Sequence, residues 1–393
     1  MLLMPSWYKS VDNPVLGTFF EEQARAMQKY GYQVGVIYPE YTAPKEFITS
    51  APGKFNDFYM DKGIPTFHIR KHGSVPKMRR LSYNKFSATA DSIFSKYCDV
   101  FGKPDIIHAH SVFHAGIAAL HISRKHDIPL VITEHLTAYL MGYITHRTDI
   151  QVAQEVFRNA DGALIVSHNF RKDLENQLQL DENTFTVIHN LVADLFFDGY
   201  TPITYNGEEP FSFFTNSFLL PRKNVNMIID AIKIMIEKGK NVKLRVGGEG
   251  PMHQELQDQV NSLGLQDHIT LTGKLWRNEV KEEIDRSHAF VLASQYETFG
   301  VVLIESLACG RPVVCTDSGG PRDFITDAQG VMVNEHDAGS LASGMMRLMD
   351  EYDNYNQKEL IRYCHDNFNE HHISALIREF YMKILEKRKQ QKP

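Results

Sequence analysis

The sequence is short of several things, and each shortage excludes a class of protein. It has 4 cysteines and 2 tryptophans among 393 residues. Cys98, Cys309, Cys315 and Cys364 lie far apart, in no metal or redox spacing, and read as reduced thiols of a cytoplasmic protein. Positive charge is not in excess: Lys plus Arg is 42 against 48 Asp plus Glu, a net charge of −6. A protein built to hold nucleic acid carries the opposite balance. No apolar run approaches the roughly 18 residues that would span a bilayer. The opening MLLMPSWYKS has no basic region and meets Pro5 almost at once, so it does not read as a signal peptide. Internal repeats and low-complexity tracts are missing too. What remains, 43% hydrophobic and 23% charged residues, is ordinary for a globular protein. At roughly 100–200 residues per domain, the length predicts two or three domains.

Short apolar runs alternate with amphipathic segments. Strands are expected at Leu2–Met4, Gln33–Ile37, Ile106–His108, Leu130–Thr133, Gly162–Val166 and Thr186–Ile188, then at Phe211–Phe214, Lys243–Val246, Ile269–Thr272, Ala289–Leu292 and Pro312–Cys315. Helical patterns sit between them, at Thr18–Tyr30, His114–His126, Gln151–Asn159, Val225–Glu237, Pro251–Leu263, Asn278–Arg286 and Val301–Cys309. Such alternation predicts an α/β protein with parallel sheets covered on both faces. Residues 198–210 (DGYTPITYNGEEP) are rich in turn formers and read as a linker. The expected organisation is a first domain at 1–197, the linker, a second domain at 211–372, and a helix within 373–393 crossing back to the first domain. In open α/β sheets, ligands bind beyond the carboxyl ends of the strands, so two facing sheets would form a cleft there.

The most informative stretch is Ser294–Ile325, SQYETFGVVLIESLACGRPVVCTDSGGPRDFI. Phe299, Gly300 and Val301 should form a helix N-terminus, whose N–H groups favour an anion such as phosphate. Glu305 follows inside that helix among apolar neighbours. It is either on an exposed stripe or buried against a partner such as two ribose hydroxyls. Glu297, just before the helix, could hold sugar hydroxyls. Lys223 sits near a helix start after the first strand of the second domain, where it is either solvated or aimed at the cleft. Gly247, Gly248 and Gly250 allow close backbone approach to a ligand, as Gly17 does in the first half. His135 and Glu134 end a strand, a place where a His can act on a substrate hydroxyl or merely line the strand end. His108, His110 and His114 invite a zinc reading, but no Cys or Asp completes the set, so no metal site is expected. His108 reads as buried and His110 as lining the cleft. The basic run Arg70–Lys85 reads as a solvated loop or as a docking surface for anionic lipid.

At these residues the sequence resembles a retaining GT-B glycosyltransferase of family 4 (group 1 type). The resemblance rests on the E-x7-E spacing of Glu297 and Glu305 with ACGRPVV and SGG behind it. DIIHAH, PLVITEH, VSH, VIHN, LPRKN, VGGEGP and LTGKL support it in order. It implies two facing Rossmann-like domains, with a UDP- or GDP-sugar donor on the second and a glycan or lipid-linked glycan acceptor on the first. It implies that Glu305 binds ribose, Glu297 the transferred sugar, Lys223 the diphosphate, and the N–H groups of Phe299, Gly300 and Val301 the diphosphate and sugar. Gly248, Gly273, Lys274 and Leu275 would border the base. His135 would be the cleft histidine near the reacting carbon, giving His135, Glu297 and Lys223 catalytic roles. Gly17, His110 and Glu134 would face the acceptor or a phosphate.

The resemblance also implies no cofactor and no metal, and no Asp-x-Asp motif is present. It places the enzyme in the cytoplasm, at the inner face of the membrane in cell-surface polysaccharide assembly. Two residues depart from the pattern. Phe218 stands where the family has a diphosphate-binding Arg, and Asp323 where it usually has Glu. Two rival functions fit the same architecture: a nucleotide-sugar 2-epimerase, and a non-catalytic glycan-binding subunit.

Overall fold

A computed structural model describes residues 1–9, 16–42, 56–72 and 79–391. The chain divides into two compact units, Met1–His189 with Ile373–Pro393, and Asn190–His372.

The first unit holds an eight-stranded sheet. Its strands are β1 (Leu2–Pro5), β2 (Gly35–Thr42), β3 (Asn56–Asp61), β4 (Ile64–His72), β5 (Ile107–His110), β6 (Leu130–Glu134), β7 (Gly162–Ile165) and β8 (Phe185–Val187). Their spatial order is β3-β4-β2-β1-β5-β6-β7-β8. All neighbours are parallel except β3 and β4. Every residue of β1, β5 and β6 is buried, as expected for parallel strands with helices on both faces. The sequence reading missed the β3–β4 hairpin. Its turn is Lys62-Gly63, with φ of 49° and 87°, between the paired residues Asp61 and Ile64. Two positive-φ residues make the tight turn that suits strand twist, and the Lys-Gly pair was the available signal.

The second unit holds six parallel strands: β9 (Phe211–Asn216), β10 (Val242–Gly247), β11 (Ile269–Gly273), β12 (Ala289–Leu292), β13 (Val313–Thr316) and β14 (Gly330–Val333). Their order is β11-β10-β9-β12-β13-β14. The direction of winding reverses between β9 and β12, and in the first unit between β1 and β5. Loops leaving such strand pairs splay apart and open a crevice for ligands.

The expected boundary at 197 and the expected linker need correction. Residues 190–205 pack on the second unit. Val192 bridges to Asn369, and Phe196 is buried. Thr201 O accepts a 2.8 Å hydrogen bond from the guanidinium of Arg311. Arg311 is fully buried and also donates to the carbonyls of Ile284 and Asp285 and to Gln357 Oε1. A buried guanidinium must satisfy its donors, and this segment supplies one acceptor. Turn-forming composition alone could not show that.

The last helix, Glu370–Gln390, runs from the second unit into the first. Ile377, Tyr381 and Ile384 are its buried face. Arg388 pairs with Asp161 at 2.6 Å and Asp127 at 2.7 Å. A Cβ at Gly162 would lie 2.6 Å from the Phe380 ring, so glycine there lets the helix approach β7.

Candidate functional site

The second unit gathers charged groups at its switch point. Lys223 lies in the loop after β9 and Glu297 in the loop after β12. The two meet, with Lys223 Nζ 2.5 Å from Glu297 Oε1. Backbone bonds hold both loops in place. Gln295 N donates to Arg222 O at 2.8 Å, Glu297 N to Ser318 O at 2.9 Å, and Gly320 N to Glu297 O at 2.9 Å. A Cβ at Gly320 would stand 2.5 Å from Phe299 N, so the SGG loop can close against this strand end only with glycine. Burial works against charge on Glu297, but Lys223, with smaller contributions from Ser294 and then Arg222, outweighs it and holds the carboxyl below its usual range. Lys223 has three N–H donors, and the pair engages one.

Helix Val301–Ala308 begins directly behind this pair. Its cap Gly300 takes φ 103°, a left-handed conformation that favours glycine. The Phe299 ring is buried against Phe324, centroids 4.7 Å apart, so only the backbone of Phe299 is placed to serve a ligand. Val301 is half-buried. Glu305 is 1% exposed, which settles the choice between exposed stripe and buried carboxylate. Arg277 Nη2 lies 2.7 Å from its Oε1, and Oε2 has no hydrogen-bond partner. The sequence reading missed Arg277, because nothing local links it to a residue in another helix.

The Gly-rich turn after β10 is approached closely by the chain itself. A Cβ at Gly248 would fall 1.8 Å from Ser217 O, and one at Gly250 2.6 Å from Leu219 O. These glycines therefore admit the chain's own loop after β9. Leu219 N donates to Glu249 O at 2.8 Å, and Gly248 N to Gly273 O at 2.7 Å. The turns after β9, β10 and β11 thus form one backbone-bonded group. It includes Gly273 and Leu275, and Lys274 is paired with Glu249 at 2.9 Å.

Phe218 sits on the first of these turns and is 49% exposed. It is not a core residue. Phe218→Arg is therefore expected to fold with a melting temperature close to that of the unmodified protein, as surface changes usually do. It should also tighten binding of a nucleoside diphosphate in titration calorimetry. Unchanged affinity would place the ring away from the diphosphate.

In the first unit the carboxyl ends of β5 and β6 carry a histidine cluster. His108 is buried between Tyr381 OH at 2.5 Å from Nδ1 and Thr133 Oγ1 at 2.6 Å from Nε2. His110 stacks on His108 with centroids 4.4 Å apart, and its Nδ1 is 3.0 Å from His135 Nε2. Its Nε2 has no partner. Burial pushes His108 and His135 down to about 3, and His110 well below its usual value, so all three are neutral near pH 7. His110 was expected to line a cleft; it is fully buried. His114 turns away, packing on Tyr83 and Phe86, so the HxHxxxH spacing does not bring three imidazoles together.

Glu134 also departs from its expected acceptor role. It is fully buried, with Oε2 accepting from Val112 N and Oε1 from His135 N and Leu136 N, each at 2.9 Å. It braces the turn after β5, where Ser111 and His114 take φ of 66° and 70°. Ser6 at the end of β1 helps, donating to Phe113 O at 2.6 Å. Positive φ at two non-glycine residues is strained and needs such bracing, which no sequence signal announced. Gly17, at φ 69°, caps helix Thr18–Lys29. Asn13–Val15 of the expected phosphate loop, and residues 73–78 of the basic run, lie outside the described residues.

A family model described as Glycosyl transferases group 1 matches residues 203–363, and one described as Glycosyltransferase Family 4 matches residues 16–194. The chain belongs to the group 1, family 4 glycosyltransferases. An uncharacterized glycosyltransferase of Methanocaldococcus jannaschii is 27% identical over 299 residues, covering 75% of this chain and 78% of that one. Among solved structures, sucrose-phosphate synthase from Thermosynechococcus elongatus aligns with a TM-score of 0.78 at 16% identity, covering 98% of this chain and 99% of that one. Anabaena HepE in complex with UDP and glucose aligns at 0.73 and 17%, covering 97% and 99%. The fold is GT-B. In this glycosyltransferase, Lys223, Glu297, Gly300 and Glu305 come together on the carboxyl side of one sheet, and His110 and His135 on that of the other.

Proposed function

We propose that this glycosyltransferase moves a sugar from a UDP- or GDP-sugar to a hydroxyl of a glycan or lipid-linked glycan, with retention of configuration and without a metal. The observation that carries the reading is the Lys223–Glu297 pair at the switch point of the second unit. HepE, a structural neighbour, is seen with UDP and glucose, which supports a nucleotide-sugar donor. In the transfer, the acceptor oxygen bonds to the anomeric carbon while the bond from that carbon to the diphosphate oxygen breaks. The hydroxyl proton leaves with the diphosphate. Charge grows on the diphosphate as it departs, and preorganised donors there lower the barrier. Lys223 keeps two N–H donors for this, and the backbone at Phe299–Val301 adds to them. Glu297 takes sugar hydroxyls, and Glu305 takes ribose. The turns bearing Gly248 and Gly273–Leu275 border the base.

Inversion would need a positioned base on the acceptor side, and among the described residues no carboxylate beside His135 is free to be one. Glu134 is the one beside His135, and both its oxygens are occupied by backbone amides. This supports retention. His135, neutral across physiological pH, offers a substrate hydroxyl a hydrogen bond rather than a proton from an imidazolium. Among the described residues no helix is long and apolar enough to cross a membrane. We place the enzyme in the cytoplasm, working at the inner membrane face.

Two measurements test this. A thermal-shift screen should show stabilisation by UDP or GDP, amounting to about 2.7 kcal/mol at 100 times Kd. No shift with any nucleoside diphosphate would favour a glycan-binding subunit, and donor turnover without acceptor an epimerase. Transfer activity should survive excess EDTA. Loss with EDTA and recovery with Mg²⁺ or Mn²⁺ would sink the metal-free mechanism.

A further inference from the structure

Glu305 presents its two carboxylate oxygens unequally. Oε1 is taken by Arg277 at 2.7 Å, while Oε2, on a side chain 1% exposed, has no hydrogen-bond partner. An unsatisfied acceptor at that depth is costly until a donor arrives. The Arg277 side chain is held from a second direction, its guanidinium carbon 4.7 Å from the centroid of the buried Phe196 ring. Phe196, Arg277 and Glu305 come from three separate elements: the segment before β9, the helix after β11, and the helix that starts at Val301. The pairing is therefore set by tertiary packing.

A carboxylate facing a vicinal diol can accept one hydroxyl on each oxygen. Here one oxygen already carries a charge-assisted bond from a planar guanidinium fixed over an aromatic ring. We propose that Arg277 is a specificity-determining residue that leaves Oε2 the stronger acceptor of Glu305, so that one hydroxyl of the nucleotide's ribose is read more strictly than its neighbour. This rests on Glu305 being the ribose-binding carboxylate. Arg277 does not touch the reacting atoms. It acts by positioning Glu305.

The test is titration calorimetry of the full chain with UDP, 2′-deoxy-UDP and 3′-deoxy-UDP, or with the guanosine series if GDP binds instead. For the unmodified protein, one deoxy analogue should bind at least ~10-fold more weakly than the parent, the scale of one charge-assisted hydrogen bond, and the other within about 3-fold. Arg277→Met keeps most of the side-chain volume without the charge. It should bring the two losses to within about 3-fold of each other. Arg277→Lys, which restores a cation, should keep the asymmetry. Equal losses in the unmodified protein would overturn the proposal without any variant. So would an asymmetry that survives in Arg277→Met. Two other results would remove the ribose reading beneath it: Glu305→Gln binding all three nucleotides unchanged, or no nucleoside diphosphate binding at all.

Discussion

Lys223→Ala is expected to lower kcat by at least ~10²-fold, the scale for removing one preorganised donor at a site of developing charge. The usual family pattern would share that work between an Arg and a Lys. Here Phe218 stands at the Arg position, half out in solvent, and cannot share it. Arg222 contributes only weakly to the field at Glu297. The substitution has a second effect. Glu297 is 9% exposed, and without Lys223 its carboxylate loses its counterion. Breaking such a pair from one side costs about 3–5 kcal/mol when it is fully buried, so some loss of stability should accompany the loss of rate. Lys223→Ala combined with Glu297→Gln separates the two effects. The double variant should recover melting temperature and not recover kcat. An enzyme with Lys223→Ala and unmodified kcat and KM would show that the diphosphate lies elsewhere.

Acid should destabilise the first unit well before carboxylates alone would account for it. His108 and His135 have native pKa values near 3, lowered by burial from the ordinary 6.5. Between those values the unfolded chain binds protons that the native state refuses. Stability is then fully present above pH 6.5 and is lost as pH falls toward 3, at about 1.4 kcal/mol per pH unit for each histidine. Together the two histidines account for about 7 kcal/mol between pH 6.5 and pH 4, a large share of a typical total of about 5–15 kcal/mol. Urea midpoints measured from pH 7 to pH 4 read the slope. His108→Gln, which can still reach Tyr381 or Thr133, should reduce that slope by one histidine's share. An unchanged slope would mean that His108 titrates in the folded protein as it does in the unfolded chain.

The sequence by itself determined much of the scaffold. Short apolar runs such as LLM and LVI can bury both faces, and they became parts of central parallel strands. The spacing of Glu297 and Glu305 spans a strand-end loop and a helix, so both were legible as a unit, and Gly300 between them fits a left-handed cap. These are local relations, set by propensity, periodicity and chain direction over a few residues.

Tertiary structure decided which of the readings left open was realised. Glu305 could have faced solvent, and burial with Arg277 across a helix packing settled it. Gly248 and Gly250 permit a close approach that the chain itself makes: a Cβ on either would meet a carbonyl oxygen of Ser217 or Leu219, on a loop some thirty residues away. Glu134 and His110 looked like cleft residues because they end strands. The turn after β5 holds Glu134, and that turn depends on Ser6, more than a hundred residues earlier in the chain, while the His110 ring packs on Phe20, His108 and His135. Residues 190–205 follow the second unit because the buried guanidinium of Arg311 needs the Thr201 carbonyl. In each case the deciding partner is distant in sequence. A polar group's need for a partner is local knowledge, but the partner's identity exists only once the chain has folded.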